Sequence, residues 1–300
     1  MWQPEPGWQQ LPGGRGPSAY GVWQTREGDT DVVVKRLIAP VDGDLRELSD
    51  WRSYAWWERE PQVALHGSVA TTSGLRGPLV RRVEEDAEGI TMVQQLVPNA
   101  QNPGLFIARA LGCFARTPPP DVPWLARQQL RERLGRIERR GGWQTLARTT
   151  LADVADHLWQ HRITHLATLD DLPQVLQHGD PTPANLPGRD GDNVVAIDWS
   201  GLGTGAVGHD LGLWALATRE DHEHLLAAYV EGLADSDLAP AAALGARITA
   251  VYTALSRLDW ALRQVADGEG ALAGKYSHPS VAPYVRSMQR QAPQIEALLA

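Results

Sequence analysis

The sequence predicts an α+β protein of two lobes, with a small antiparallel sheet and one helix in residues 1–97 and a larger, mostly helical lobe in residues 98–300. Three observations predict this division. Short apolar runs separated by Gly and Pro fill the first third of the chain, as in sheets. Apolar residues at helical spacing dominate the remainder. Pro98, Asn99 and Pro103 interrupt the chain between the two regions and predict a hinge there.

The N-terminal region has the predicted order strand, glycine turn, strand, turn, strand. Gly14, Gly16 and Ser18 lie in the glycine turn, and Lys35 follows the apolar run Val32–Val34. Glycines allow backbone N–H groups to approach a phosphate, and a lysine there contacts the phosphates as a point charge. The alternative is an ordinary Gly-Pro turn and a strand-end lysine that reaches into solvent.

One helix and two more strands complete the predicted first lobe. Apolar and aromatic residues at near-helical spacing predict a helix over about 44–60. Pro61 should stop or kink it, because the residue before a proline disfavours α geometry. Segments 79–83 and 90–97 should pair as strands around the charged turn 84–89. The first lobe would then hold five strands.

Helices are predicted throughout the second lobe, from the spacing of its apolar residues. The predicted segments are about 104–116, 124–140 and 151–169, followed by helices from near 209 to the end of the chain, with breaks at 235–240, 268–274 and 279–283.

Composition excludes several classes of protein. With 43% hydrophobic and 21% charged residues, the 300-residue chain has an ordinary globular composition and enough length for a sizeable core. Its single cysteine excludes an internal disulfide and a cysteine-built metal site. No apolar run approaches the roughly 20 residues that span a bilayer, and the N-terminus lacks a signal-peptide pattern. We expect a cytoplasmic protein that does not bind membranes, as a monomer or weak dimer.

The charge is unevenly distributed. A net charge of −8 argues against nucleic-acid binding, which needs clustered Lys and Arg. Residues 98–150 hold 9 Lys and Arg against 3 Asp and Glu, whereas residues 151–300 hold 9 against 19. An acidic C-terminal half suits a cationic substrate, although acidic helix faces are usually only solvated. The candidate carboxylates are Glu220, Asp221, Glu223, Glu231, Asp259, Asp267 and Glu269.

The most informative segment contains His178, Gly179 and Asp180, with Asn185 five residues after the aspartate and an apolar β-run that ends at Asp198. In phosphoryl transfer to a hydroxyl, an aspartate accepts the hydroxyl proton. An asparagine five residues on and an aspartate from the next strand bind Mg²⁺ or Mn²⁺ through oxygen. A lone His-Gly-Asp would more simply be a turn. The combined pattern favours the catalytic interpretation.

This segment resembles the catalytic loop of the aminoglycoside phosphotransferase and choline kinase superfamily, which has His-Gly-Asp where protein kinases have His-Arg-Asp. The resemblance implies a protein-kinase-like fold, ATP or GTP as phosphoryl donor, and a small-molecule hydroxyl as acceptor. It also implies that Asp180 is the catalytic base and that Asn185 and Asp198 bind the metal. The chain lacks the Asp-Phe-Gly and Ala-Pro-Glu motifs of protein kinases.

The same resemblance implies roles in the nucleotide site. Segment 54–60 is similar to the family stretch in which a glutamate pairs with the strand lysine, which favours Glu60 over Glu58. Backbone groups near Gln95 and Val97 would receive the nucleotide base.

Two residues are predicted to support the catalytic loop. The segment 208–214 is similar to a family element whose aspartate braces that loop, which makes Asp210 structural. His178 is expected to be a scaffold residue, because phosphoryl transfer needs positioning and charge neutralisation more than a second proton carrier.

Two functional classes remain open from the sequence. One is an active phosphotransferase that acts on an aminoglycoside, an amino sugar or another small alcohol. The other is a non-catalytic relative that binds nucleotides or drugs. The presence of Lys35, Asp180, Asn185 and Asp198 together favours the enzyme.

Overall fold

The computed structural model describes residues 2–13, 18–143, 150–265 and 278–299. The predicted phosphate-contacting glycines Gly14 and Gly16, and the candidate carboxylates Asp267 and Glu269, lie outside these residues. The architecture is α+β, as predicted, with an antiparallel sheet near the N-terminus and helices in the rest of the described chain.

A five-stranded antiparallel sheet forms the N-terminal part, in the order β1-β2-β3-β6-β5. Its strands are β1 (Gln9–Gln10), β2 (Ala19–Glu27), β3 (Thr30–Ile38), β5 (Val80–Asp86) and β6 (Gly89–Gln95). Alternation along β3 decides where Lys35 points, since successive side chains face opposite sides. Val32 and Val34 are buried on one side against Val93, whereas Lys35 is opposite Met92 in the register and faces the other side.

The predicted helix over 44–60 is wrong. The segment contains only a short 3₁₀ turn at Arg46–Leu48, and helix α1 (Arg59–His66) begins where the predicted one should end. The proline was misinterpreted: Pro61 lies in the first turn of α1, where N–H groups have no intrahelical acceptor and a proline costs little.

The helices after β6 pack into a large core. They are α2 (Gly104–Ala115), α3 (Gln129–Arg139), α4 (Thr150–Asp171), α5 (His209–Ala215), α6 (His222–Leu233), α7 (Ala239–Gln264), α8 (Ala282–Arg290) and α9 (Ala292–Leu299). α3 starts five residues later than predicted. Ala126 is held by backbone hydrogen bonds with Leu202 and Thr204, and Gln128 has a positive φ of 51° that ends this extended segment.

Short strands place the candidate catalytic segment between the helices. β7 (Gln174–Gln177) pairs with β10 (Gly203–Ala206), and β8 (Gly188–Asp190) pairs with β9 (Asn193–Val195). β4 (Leu75–Arg76) comes from the N-terminal part of the sequence, yet it pairs in parallel with β9. β4 therefore ties the region before the predicted hinge to the region after it.

One described helical segment, Ser236–Gln264, is long and apolar enough to cross a membrane by length and composition alone. Its uninterrupted apolar runs are shorter than 20 residues, as the sequence indicated, because Arg247, Arg257 and Asp259 lie within it. Most of the segment is buried within the protein, as in the core helix of a globular fold.

Candidate active site

Lys35 lies between two carboxylates. Its Nζ contacts Glu60 on α1 and lies 3.3 Å from Asp198 Oδ1. Glu58, the other candidate, precedes α1 at its N-cap, and the partner of Lys35 on this element is Glu60. β3, α1 and the segment after β9 thus meet at one ammonium group.

Burial and the neighbouring charges shift the pKa values of Lys35 and Asp198 in opposite directions. Burial alone would lower the pKa of Lys35, but Glu60 and Asp198 outweigh it and raise that pKa above its usual range. Burial also disfavours ionised Asp198, yet Lys35 and a hydrogen bond with Ser200 lower its pKa. Lys35 and Asp198 are therefore both charged at neutral pH.

Asp180 and Asn185 are joined directly. Asn185 Nδ2 donates hydrogen bonds to the backbone oxygen of Asp180 at 3.0 Å and to its Oδ2 at 3.1 Å. The backbone oxygen of Asn185 accepts a hydrogen bond of 2.8 Å from Ile197 N, which fixes Asn185 beside the residue that precedes Asp198. The amide nitrogen faces Asp180, so the amide oxygen of Asn185 keeps its capacity to accept or to bind a cation.

His178 is enclosed and has both ring nitrogens engaged. It is 0% exposed, its Nε2 donates to Ile197 O at 3.1 Å, and its Nδ1 accepts from Asp180 N at 3.3 Å. Its ring packs 4.7 Å from that of Trp199. With both nitrogens bonded to backbone groups, His178 holds the loop against the segment that carries Asp198.

Asp210, at the start of α5, holds the same loop by accepting hydrogen bonds from its backbone. Its Oδ2 accepts from His178 N at 2.6 Å and its Oδ1 from Gly179 N at 3.0 Å. Burial raises the pKa of Asp210 to about 6, against the lowering effect of His178 and of the two backbone hydrogen bonds. Gly179 has φ +86°, and a Cβ there would overlap the carbonyl oxygen of Gly201, so the loop requires glycine at this position.

A cleft of about 330 Å³ joins these groups. Lys35, Glu60, Asp180 and Asp198 line it together with Ser18. Ser18 and the sheet thus meet the candidate catalytic segment at one cavity.

Gln95 and Val97, at and just after the end of β6, are not among the residues that line this cleft. Gln95 is exposed, and its N–H donates to Leu79 O at 2.8 Å. Val97 packs against Gly188. Within the described chain the N–H of Val97 donates no hydrogen bond, so it is free for an acceptor from a ligand.

Asn185 and Asp198 fit a hard cation in chemical type, since both offer oxygen and neither sulfur nor paired imidazoles compete. Asp198 is held at φ 59°, a conformation uncommon outside glycine and enriched at functional positions. Over the ranges that the structure describes, no group of three or more His, Cys, Asp or Glu forms a separate metal site.

The structure does not bring the predicted acidic side chains to the cleft. None of the five described candidates lines it. Glu231 pairs with Arg109, Asp259 pairs with Arg263, and Asp221 accepts from Glu223 N to cap α6.

Three arginines that the sequence did not single out surround the site instead. Arg133 and Arg136 of α3 line the cleft. Arg59, fully buried, donates to backbone oxygens of Trp124 at 2.8 Å and Ser200 at 3.2 Å, and to three more in residues 51–54. The only signal in the sequence for Arg133 and Arg136 was the excess of basic residues in 98–150.

The fold and the arrangement of side chains define a class, the protein-kinase-like small-molecule phosphotransferases. A model of the APH phosphotransferase enzyme family matches residues 7–244. The chain therefore belongs to this family, and the resemblance stated from the sequence is confirmed.

Solved structures agree on the fold. Choline kinase LicA from Streptococcus pneumoniae is similar with a TM-score of 0.59 and 12% identity, covering 97% of this chain and 93% of that one. A choline/ethanolamine kinase family protein from Mesorhizobium loti has a TM-score of 0.54 and 18% identity over 93% and 94%. The GDP complex of aminoglycoside 2'-phosphotransferase-IIIa has a TM-score of 0.58 and 13% identity over 92% and 93%. None of the curated proteins compared matches this chain.

Proposed function

We propose that this protein is an active small-molecule kinase that transfers the γ-phosphoryl group of ATP or GTP to a hydroxyl of a small alcohol. The observation that supports the proposal most is the convergence of Lys35, Glu60, Asp180 and Asp198 on one cleft. A protein that only binds nucleotides has no need for a carboxylate positioned as Asp180 is. Family membership supports the same reaction class.

In the proposed reaction, the hydroxyl oxygen of the acceptor forms a bond to the γ-phosphorus. The bond from that phosphorus to the bridging oxygen breaks, and the nucleoside diphosphate leaves with the bridging oxygen. Asp180 accepts the proton of the hydroxyl and orients it, since Asn185 fixes one carboxylate oxygen. Lys35, held by Glu60, contacts the phosphates.

Asn185 and Asp198 would hold Mg²⁺ or Mn²⁺, which neutralises phosphate charge when bound. Ser18 and the glycine turn would cover the phosphates, and Val97 N–H with the backbone of Gln95 would contact the base. His178 and Asp210 keep Asp180 in place through the backbone hydrogen bonds described above.

The test is a nucleotide-consumption assay with ATP and GTP, in Mg²⁺, over a panel of aminoglycosides, amino sugars, choline, neutral polyols, hydroxy acids and sugar phosphates. We expect acceptor-dependent release of diphosphate with at least one member and none without Mg²⁺ or Mn²⁺. Nucleotide binding with no transfer to any acceptor would instead support the non-catalytic alternative.

A further inference from the structure

Arg133 and Arg257 come from two helices that pack against each other, α3 and α7. Arg133 lines the cleft together with Asp180. Arg257 is half-buried. Burial and then Arg133 lower the pKa of Arg257, whereas Asp180 raises it, which places all three groups within electrostatic reach of one another.

Neither Arg133 nor Arg257 donates a hydrogen bond or forms an ion pair within the part of the chain that the structure describes. The guanidinium carbon of Arg133 lies 5.6 Å from the centroid of the Tyr54 ring. The other arginines of α3 and α7 all have partners, namely Arg131, Arg136, Arg139, Arg247 and Arg263. Buried Arg59 likewise has its donors bound to carbonyls.

Two unpaired guanidinium groups of like charge in a partly desolvated place repel each other and leave donors unused. The carboxylate nearest to Arg133 in sequence, Glu132, is bound to Ser53 Oγ at 2.8 Å and Tyr54 N at 3.1 Å. An anion between Arg133 and Arg257 would neutralise the repulsion and would accept hydrogen bonds from the unused donors, since the planar guanidinium matches carboxylate and phosphate geometry.

We propose that the acceptor is a small alcohol that also carries an anionic group, a carboxylate or a phosphate, bound by Arg133 and Arg257. Its hydroxyl then lies at Asp180. This inference rests on the proposed kinase function and replaces the cationic substrate expected from the acidic C-terminal half. That expectation counted carboxylates that lie outside the cleft, whereas Arg133 and Arg136 line it.

The test is a calorimetric titration of malonate and of inorganic phosphate into the protein. It is carried out with Mg²⁺ and a non-hydrolysable triphosphate analogue, which fills the γ-phosphate position, and again without nucleotide. We expect one saturable site in the wild type and binding weaker by about 10- to 100-fold in Arg133→Gln or Arg257→Gln, the usual effect of losing a charge-assisted contact. Tighter binding of malonate identifies a carboxylate substrate, and tighter binding of phosphate a phosphorylated one.

Arg131→Gln on α3 and Arg247→Gln on α7 are matched controls, because their side chains are paired away from the cleft with Asp170 and Gln294. Both should bind the anions like the wild type. Arg133→Gln and Arg257→Gln should keep the melting temperature of the wild type or exceed it, since each removes one of two repelling charges; a large fall would show a structural role.

Absence of a saturable site in the wild type, or equal anion affinity in Arg133→Gln and Arg257→Gln, would overturn the proposal. Loss of affinity for the nucleotide analogue rather than for the anions would also overturn it, by assigning both arginines to the nucleotide phosphates. Because the arm without nucleotide needs no turnover, its result is independent of whether the kinase function itself holds.

Discussion

Asp198 and Asn185 share the proposed metal site, but only Asp198 contributes a full charge there. Asp198→Asn keeps the shape and an oxygen to accept from Lys35 while removing that charge. We expect the Mg²⁺ concentration for half-maximal turnover to rise at least about tenfold, which requires a loss of only about 1.4 kcal/mol of attraction.

Turnover measured against Mg²⁺ at saturating nucleotide checks this prediction. The exposed Asp192→Asn serves as control, since it removes one carboxylate from the turn between β8 and β9. An unchanged Mg²⁺ dependence in Asp198→Asn would remove Asp198 from the metal site.

Individual residues were predictable where their type was rare or their spacing specific. Lys35 stood out because only two lysines occur in the chain, and Asp180, Asn185 and Asp198 because of their order and spacing. Arg59, Arg133 and Arg257 gave no such signal among 26 arginines. Only the tertiary structure separates the arginines that have partners from those that do not.

At the scale of elements, the loop from β7 to Asn185 depends on α5. Asp210 accepts two backbone N–H groups of that loop, and Asn in its place offers one oxygen and one competing donor. We expect Asp210→Asn to lower the free energy of unfolding at pH 7 by about 1–3 kcal/mol, the cost of a buried N–H left without an acceptor. It should lower kcat while nucleotide affinity stays the same.

The pH dependence of this effect has a definite sign. Burial raises the pKa of Asp210 from 3.8 to about 6 on folding, so between these values the folded state binds more protons than the unfolded state. The part of the stability contribution of Asp210 that depends on its protonation is therefore full below pH 3.8 and is lost as the pH rises through 6, whereas the carboxylate still accepts its two backbone hydrogen bonds at pH 7. Urea unfolding at pH 5 and pH 7 should show the wild type losing about 1 kcal/mol relative to Asp210→Asn. A constant difference between the two proteins would contradict the raised pKa.

Elements with strong periodicity were predicted well, and those set by tertiary contacts were not. The helices α2 and α4 lie close to the predicted bounds, and the strand that contains Lys35 was predicted, although it continues to Ile38. The helix expected over 44–60 does not form, because its aromatic residues lie in an irregular segment whose carbonyls at 51–54 in part accept hydrogen bonds from Arg59. No local sequence pattern predicts such a segment, since these carbonyls are satisfied by a side chain and not by a regular backbone repeat.

For the whole molecule, the sequence predicted the α+β class and the family, and both are confirmed. The division at residues 97 and 98 remains a prediction, and β4 complicates it by pairing with β9 across that boundary. The distribution of charge did not identify the side chains that line the cleft, because net charge records neither burial nor pairing. Acidic residues of the C-terminal half cap helices or pair with arginines, as Asp221 and Asp259 do.

The central claim is that the cleft transfers a phosphoryl group with Asp180 as the base. Asp180→Asn retains the shape of the side chain and loses its charge and basicity. Since general-base catalysis typically contributes about 10²- to 10⁴-fold in rate, turnover should fall by that order. Nucleotide affinity should stay near that of the wild type, because Lys35 and Asp198 are untouched.

The most direct measurement is steady-state phosphorylation of an acceptor identified in the panel, with nucleotide titration, for the wild type, Asp180→Asn and the control Asp192→Asn. The account predicts full activity in the wild type and the control, and a fall of about 10²-fold or more in Asp180→Asn with unchanged nucleotide binding. Full turnover in Asp180→Asn would contradict the assignment of Asp180 as the base and, with it, the proposed use of the cleft.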